Sequence, residues 1–141
     1  YVDIDGTGVG LAICFDVIYD DVIHEGARDG AEVYMFQTNN ADFRNTDENL
    51  QQLAFARTRA IETGRSVVNI STVGTSQVIG PDGATIDSLP ADEAGAMLTD
   101  VPLRTGLTPS IVIGGSLGMA IAILSIAGLI ASGVVASRRR T

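Results

Sequence analysis

Along residues 1–104 short apolar runs alternate with polar, turn-rich stretches, and the pattern changes abruptly in the last part of the chain. Residues 10–15, "GLAICF", form an apolar run without a helical period, which predicts a buried strand. A helix is predicted from Asp20 or Asp21 to Asp29, with an aspartate cap, Val22, Ile23 and Ala27 on one face, and Gly30 as its stop. "AEVYMFQT", residues 31–38, reads as a second buried strand. The three elements make a βαβ unit, hence a parallel pair with a right-handed crossover and an α/β fold class.

The polar stretch "NNADFRNTDEN", residues 39–49, leaves the C-terminal end of that strand, where open α/β sheets build their sites. A second helix is predicted over residues 47–63, capped by Thr46 or Asp47, with Leu50, Leu53, Ala54, Arg57 and Ile61 in a stripe and Gly64 past its end. Arg57 and Arg59 interrupt its apolar positions, either as surface groups reaching acids or as structural groups near a site. "SVVNIST" and "TSQVIG" are β-rich, "GPDG" at residues 80–83 is a turn by its residue types, and "ATIDSLP" and "GAMLTDVPL" supply two more short strands.

No charged side chain occurs from residue 105 to 137, and residues 111–136 read "IVIGGSLGMAIAILSIAGLIASGVVA". As a helix this stretch would be about 39 Å long against a hydrocarbon core of roughly 30 Å, so it is predicted to cross a bilayer. A soluble domain this small could not cover so long an apolar helix on every side, and a cleavable signal peptide would be N-terminal and shorter. Arg138, Arg139 and Arg140 follow at once, and a basic cluster beside a span marks the cytoplasmic side. The part before Ile111 is therefore expected outside the cytoplasm. All 17 acidic residues but only six of the nine basic ones precede the span, an excess of 11 negative charges that suits no nucleic-acid partner. Gly114, Gly118 and Ala122 form a ridge of small residues on which another helix could pack.

The candidate chemistry starts from a single cysteine, Cys14, and a single histidine, His24. One cysteine makes no internal disulfide, and one of each makes no four-ligand zinc site, so no metal and no cofactor is expected. At the end of a strand that enters a helix, the sulfur would stand at the C-terminal edge of the sheet, beside backbone N–H groups able to bind an oxyanion. A thiol is only a few per cent thiolate at pH 7 and needs a base or cation beside it. Cys14 is thus either buried core or a nucleophile. Asn39 and Asn40 are either turn formers or site residues. His24 is expected at the surface.

Taken in order, "GLAICFDVIYDD", "QTNNADF", "QQLAFARTRAIETGRSVVNISTVGTSQVIGPDG" and "VPLRTGLTP" running into a span resemble the C-terminal half of the apolipoprotein N-acyltransferases, integral membrane members of the nitrilase superfamily. The resemblance covers residues 8–136. It implies the C-terminal half of a nitrilase-like α-β-β-α sandwich over residues 1–104, a linker over 105–110, a transmembrane helix over 111–136 and a cytoplasmic basic tail over 137–141. The chain, which opens at Tyr1 in mid-strand, is expected to be the C-terminal piece of a longer protein of the bacterial cytoplasmic membrane.

The same resemblance implies an acyl transfer in two steps. Cys14 would be the nucleophile that takes an acyl chain from a phospholipid as a thioester, and Phe15 the backbone oxyanion donor. Asp16 would orient the site, with Asn39 and Asn40 in support. The acceptor would be the α-amino group of the diacylglyceryl cysteine of a lipoprotein, and upstream transmembrane helices would be the span's partners. The chain departs from the family's pattern in two places. It contains no lysine, so the Glu and Lys of the Glu–Lys–Cys triad would precede Tyr1, and Asp42 and Arg44 put charges in the loop after Asn40. A membrane-tethered amidase and a non-catalytic scaffold are the alternative readings.

Overall fold

Strands form where β-branched and aromatic residues alternate in register, and in this computed structural model, which describes residues 1–44 and 46–138, six of them pair into one sheet. They are β1 (Val2–Ile4), β2 (Thr7–Ile13), β3 (Val33–Thr38), β4 (Ser66–Ser71), β5 (Ser76–Ile79) and β6 (Thr85–Leu89). The spatial order is the chain order. β2, β3 and β4 run parallel, and the outer pairings are antiparallel. The crossovers are α1 (Asp20–Asp29) and α2 (Glu48–Thr63), and α3 (Pro109–Arg138) follows β6 after a long irregular segment. The mixed α/β sheet with its apolar helix after it is the expected fold class.

One face of the sheet, with Ala12, Tyr34, Phe36 and Val67, is fully buried in a core that also takes Ile23 and Ala27 of α1 and Ala56 and Ala60 of α2. A Cβ on Gly10 would run into the Tyr34 ring, so this β2 position takes no side chain. The Tyr34 hydroxyl donates to the Ile23 carbonyl, and burial pushes its pKa up to about 12. On the other face Leu11, Ile13 and Ile70 are about half exposed.

Several local expectations are corrected. The first strand ends at Ile13, and Cys14 opens a 3-10 turn, Cys14–Ile18. The N-cap of α1 is Tyr19, with no side-chain cap bond; Asp20 lies inside the first turn, where its carboxylate meets Arg59 and the helix dipole. Val22 is exposed while Ile23 and Ala27 are buried. In α2 the buried set is Leu53, Ala56, Arg59, Ala60 and Thr63, whereas Leu50 and Ile61 are more than half exposed. The small alanines let the helix approach the sheet closely, so the larger side chains turn away. Asp47 is its N-cap without a side-chain bond, and the Thr46 hydroxyl accepts the Glu48 N–H at 3.3 Å. "GAMLTDVPL" is irregular backbone rather than a strand.

That irregular segment is pinned to the domain one bond at a time. Ser66 donates to the Pro102 carbonyl at 2.9 Å and Thr108 to the Glu62 carbonyl at 2.5 Å, and just beyond it Arg28 donates to the carbonyl of Ile111, in the first turn of α3, at 2.7 Å. Arg65, fully buried, spreads its guanidinium over the carbonyls of Ala27, Ala31, Thr63, Thr105 and Gly106. Burial pulls its pKa down from the usual arginine value.

Residues Tyr1–Ile111 form one compact unit, and the remainder of α3 forms another. From residue 112 to 133 every side-chain position except Gly114 is exposed, Leu117, Leu124 and Leu129 among them. The 25 residues Pro109–Gly133 are long and apolar enough to cross a membrane. A Cβ on Gly118 would touch nothing, so the small-residue ridge is open. Arg139 and Arg140 of the expected basic tail lie outside the described residues.

Candidate active site

At the C-terminal edge of the parallel strands the backbone reverses at a single residue. Cys14 has φ +54°, in the left-handed region, where a side chain costs roughly 1–2 kcal/mol. It sits between the last residue of β2 and the 3-10 turn, at the C-terminal end of the parallel strands, with its thiol partly exposed. Strain of this kind persists only where neighbours over-determine it, and it concentrates at functional sites.

The neighbours are specific. Asp16 folds back so that its Oδ2 accepts the Ile13 N–H at 3.0 Å, closing the turn around Cys14. Phe15 follows Cys14 in the first turn of the 3-10 helix, where backbone N–H groups lack helical partners, and its ring is exposed. The two asparagines part company. Asn39 Oδ1 accepts the Ala41 N–H and the Thr72 hydroxyl, binding the loop to the end of β4. Asn40 is buried, its Oδ1 2.7 Å from the Thr38 hydroxyl and its Nδ2 donating to Asn49 Oδ1 at 3.3 Å.

This second network leads back to the sulfur. The Thr38 hydroxyl is also 2.7 Å from Gln52 Oε1, and the Gln52 side-chain amide lies 3.9 Å from Cys14 Sγ. Sequence reasoning missed Gln52 and Thr38, although Thr38 ends the strand beside the cysteine's and Gln52 lies one helical turn N-terminal to Ala56, on the inner side of α2. The loop after Asn40 carries Arg44 in an ion pair with Asp92 at 3.0 Å, with both side chains half exposed.

Beneath the turn lies a charged cluster, and here His24 is a correction. It is buried, not at the surface, because α1 turns it toward α2, where its Nε2 lies 2.8 Å from Glu62 Oε1. Arg59, 5 % exposed, meets the same carboxylate and Asp20, and its remaining donors reach the Val17 and Ile18 carbonyls at 2.7 and 2.8 Å. Burial alone would raise the Glu62 pKa, but Arg59 and His24 outweigh it and hold the carboxyl below the usual range. Burial also opposes the Arg59 charge, yet Glu62 and Asp20 prevail and push its pKa up. Asp20, His24 and Glu62 bring three ligand-type atoms within 4.8 Å of one another, but the Arg59 guanidinium already supplies the cation there. Arg57 is bound elsewhere, donating to the Gly83 carbonyl and to Gln77. A groove of about 610 Å³ opens on the opposite sheet face between Met35, Val68, Ile70 and Met97, away from Cys14.

The turn that carries Cys14 lies within residues 1–106, which the family model for carbon-nitrogen hydrolases matches. The chain belongs to the carbon-nitrogen hydrolase family. Among curated proteins it is similar to the apolipoprotein N-acyltransferase of Mycolicibacterium smegmatis, 38% identical over 107 residues, which are 74% of this chain and 18% of that protein. It is 30% identical to that of Shewanella oneidensis over 73% of this chain and 20% of that one, and 31% identical to apolipoprotein N-acyltransferase 1 of Treponema pallidum over 92% and 24%. The chain therefore matches about a fifth to a quarter of the length of these relatives. Its fold is similar to that of Saccharomyces cerevisiae Nit3, a member of the nitrilase superfamily (TM-score 0.52, 22% identity, 61% of this chain and 34% of that one). A carbon-nitrogen hydrolase from Helicobacter pylori is similar as well (TM-score 0.54, 21% identity, 64% and 39%).

Proposed function

We propose that the chain is the nucleophile-bearing part of an apolipoprotein N-acyltransferase. The Cys14 thiol gives its proton to a glutamate base and attacks the ester carbonyl of a phospholipid; a C–S bond forms, the C–O bond breaks, and the departing lipid alkoxide takes that proton from the base. The α-amino group of a lipoprotein's diacylglyceryl cysteine then attacks the thioester, the C–S bond breaks, and the amine's proton passes through the same base to the sulfur, leaving the amide and the free thiol. The Phe15 N–H serves the oxyanion, Asp16 holds the turn, and Asn40 steadies the Thr38–Gln52 side of the site. A glutamate base and a lysine come from outside these 141 residues, so the segment alone is expected to be inactive. The domain covers residues 1–104, the connector 105–110, the span 111–136 and the cytoplasmic tail 137–141. The domain stands outside the cytoplasm, at the surface where both lipid substrates reside, and other transmembrane helices of the same protein pack on the span.

The observation that carries this reading is Cys14 at φ +54° on the turn after β2, in a chain whose curated relatives bear the acyltransferase name. The apolar helix after the domain agrees with an enzyme whose substrates are lipids, and a membrane-tethered amidase that hydrolyses its thioester would share it. The test is mass spectrometry of the protein purified from membranes with phospholipid, before and after hydroxylamine. A fatty-acyl mass on the Cys14 peptide that hydroxylamine removes, and that Cys14→Ser lacks, is the expected result. Persistent absence of an acyl group would sink the transferase and favour the scaffold.

A further inference from the structure

We propose that Arg59 is the positioning residue of the cysteine turn: its guanidinium, seated on Glu62 and Asp20, holds the Val17 and Ile18 carbonyls and thereby keeps Cys14 in its left-handed conformation. That role rests on Cys14 being the acyl-accepting nucleophile. A left-handed cysteine relaxes unless the turn behind it is fixed at both ends. Asp16 fixes the near end through the Ile13 N–H at 3.0 Å, from within the turn. The far end, Val17 and Ile18, is fixed from α2 by two bonds of one rigid fork, at 2.7 and 2.8 Å.

The fork itself cannot drift. Arg59 is 5 % exposed, and a third nitrogen, Nη1, is spent on Asp20 at 2.7 Å and on Glu62. Glu62 is braced in turn by His24 at 2.8 Å and Ser110 at 3.3 Å. Neutralising Glu62 and Asp20 would take only a positive charge, which lysine also carries. Gripping two successive carbonyls while doing so takes the planar five-donor geometry that an ammonium lacks.

Arg59→Lys separates these two tasks. The experiment uses the whole membrane-extracted protein and reads the rate of acyl-thioester formation at Cys14 per mole folded, with hydrogen–deuterium exchange of residues 14–19. We expect a folded variant whose kcat falls about tenfold, equivalent to about 1.4 kcal/mol of barrier, with KM for the phospholipid unchanged. Exchange in the turn should rise while that of β3 stays put. In Arg59→Ala, added guanidinium ion should restore part of kcat, and ammonium at the same concentration should not.

A lysine variant with the wild-type rate and wild-type exchange overturns the proposal. So does a rate that falls only with the folded fraction, or a failure of both variants to fold, since Arg59 would then hold the fold and not the turn. If the wild type never acylates, the acyltransferase reading fails by itself, and the exchange comparison still decides whether Arg59 clamps the turn.

Discussion

The two faces of the sheet are made by the same strands, yet they meet different surroundings. On the helix-covered face Tyr34, Phe36 and Val67 are at most 3 % exposed, while on the other face Leu11, Ile13 and Ile70 stand 46 to 65 % exposed. Alternation explains how one strand serves both, but not why the second face is apolar. On that face Leu11 lies beside Met35, and Ile13 and Ile70 flank Gln37 of β3, so the apolar side chains are close enough to form a surface that a further layer can cover. One face is finished within these residues, and the other matches the inter-sheet face of an α-β-β-α sandwich, the fold of the superfamily.

The largest contrast is expected from truncating each face. Phe36→Ala should cost about 3–5 kcal/mol in urea unfolding. Ile13→Ala should cost about 0.5 kcal/mol if the second face meets only water. A cost of about 2 kcal/mol or more at Ile13 in the whole protein would reveal a covering layer. Next in size is Arg65→Met, which keeps the volume but leaves buried carbonyls without a donor and should cost about 3 kcal/mol.

A smaller effect is set by pH. The Glu62 pKa is lower in the folded protein than its ordinary 4.5. Its contribution to stability is therefore present above that value and is lost as pH falls through it toward the folded pKa. Thermal unfolding from pH 6 to pH 3 should fall less steeply for Glu62→Gln than for the wild type. The smallest effect has the opposite sign. Cys14→Gly should gain about 0.5–1 kcal/mol by releasing the left-handed strain, less the entropy of glycine, while abolishing acylation. A loss of stability there would mean that the turn is not strained.

The βαβ unit, the Gly30 and Gly64 stops and the long apolar helix were legible because each rests on local chemistry: period, left-handed glycine and length. Both glycines do take positive φ, 117° and 65°. Cys14 was legible as a candidate from its place at a strand end, and its conformation was not, since a positive φ at cysteine has no sequence signature. His24 was misplaced because a lone histidine on a short helix looks like solvent-facing polarity until Glu62, 38 residues away, is seen beside it. The α2 stripe was misread for a related reason. Large apolar residues drew the prediction, while close approach to the sheet selects alanine at 56 and 60. Gln52 and Thr38 escaped notice because what brings them together with Cys14 is the packing of α2 on the end of β3.

The six strands lie side by side in the order in which they occur along the chain. Each new strand therefore finds its partner in the one made just before it, and the widest closure within the sheet spans only the α2 crossover. Strand pairing in this sheet needs only chain neighbours, whereas the bonds from outside that reach the turn after Cys14 come from Arg59, on α2. The thiol's conformation thus depends on contacts that span 41 and 42 residues of sequence, while its strand depends on the next one along the chain.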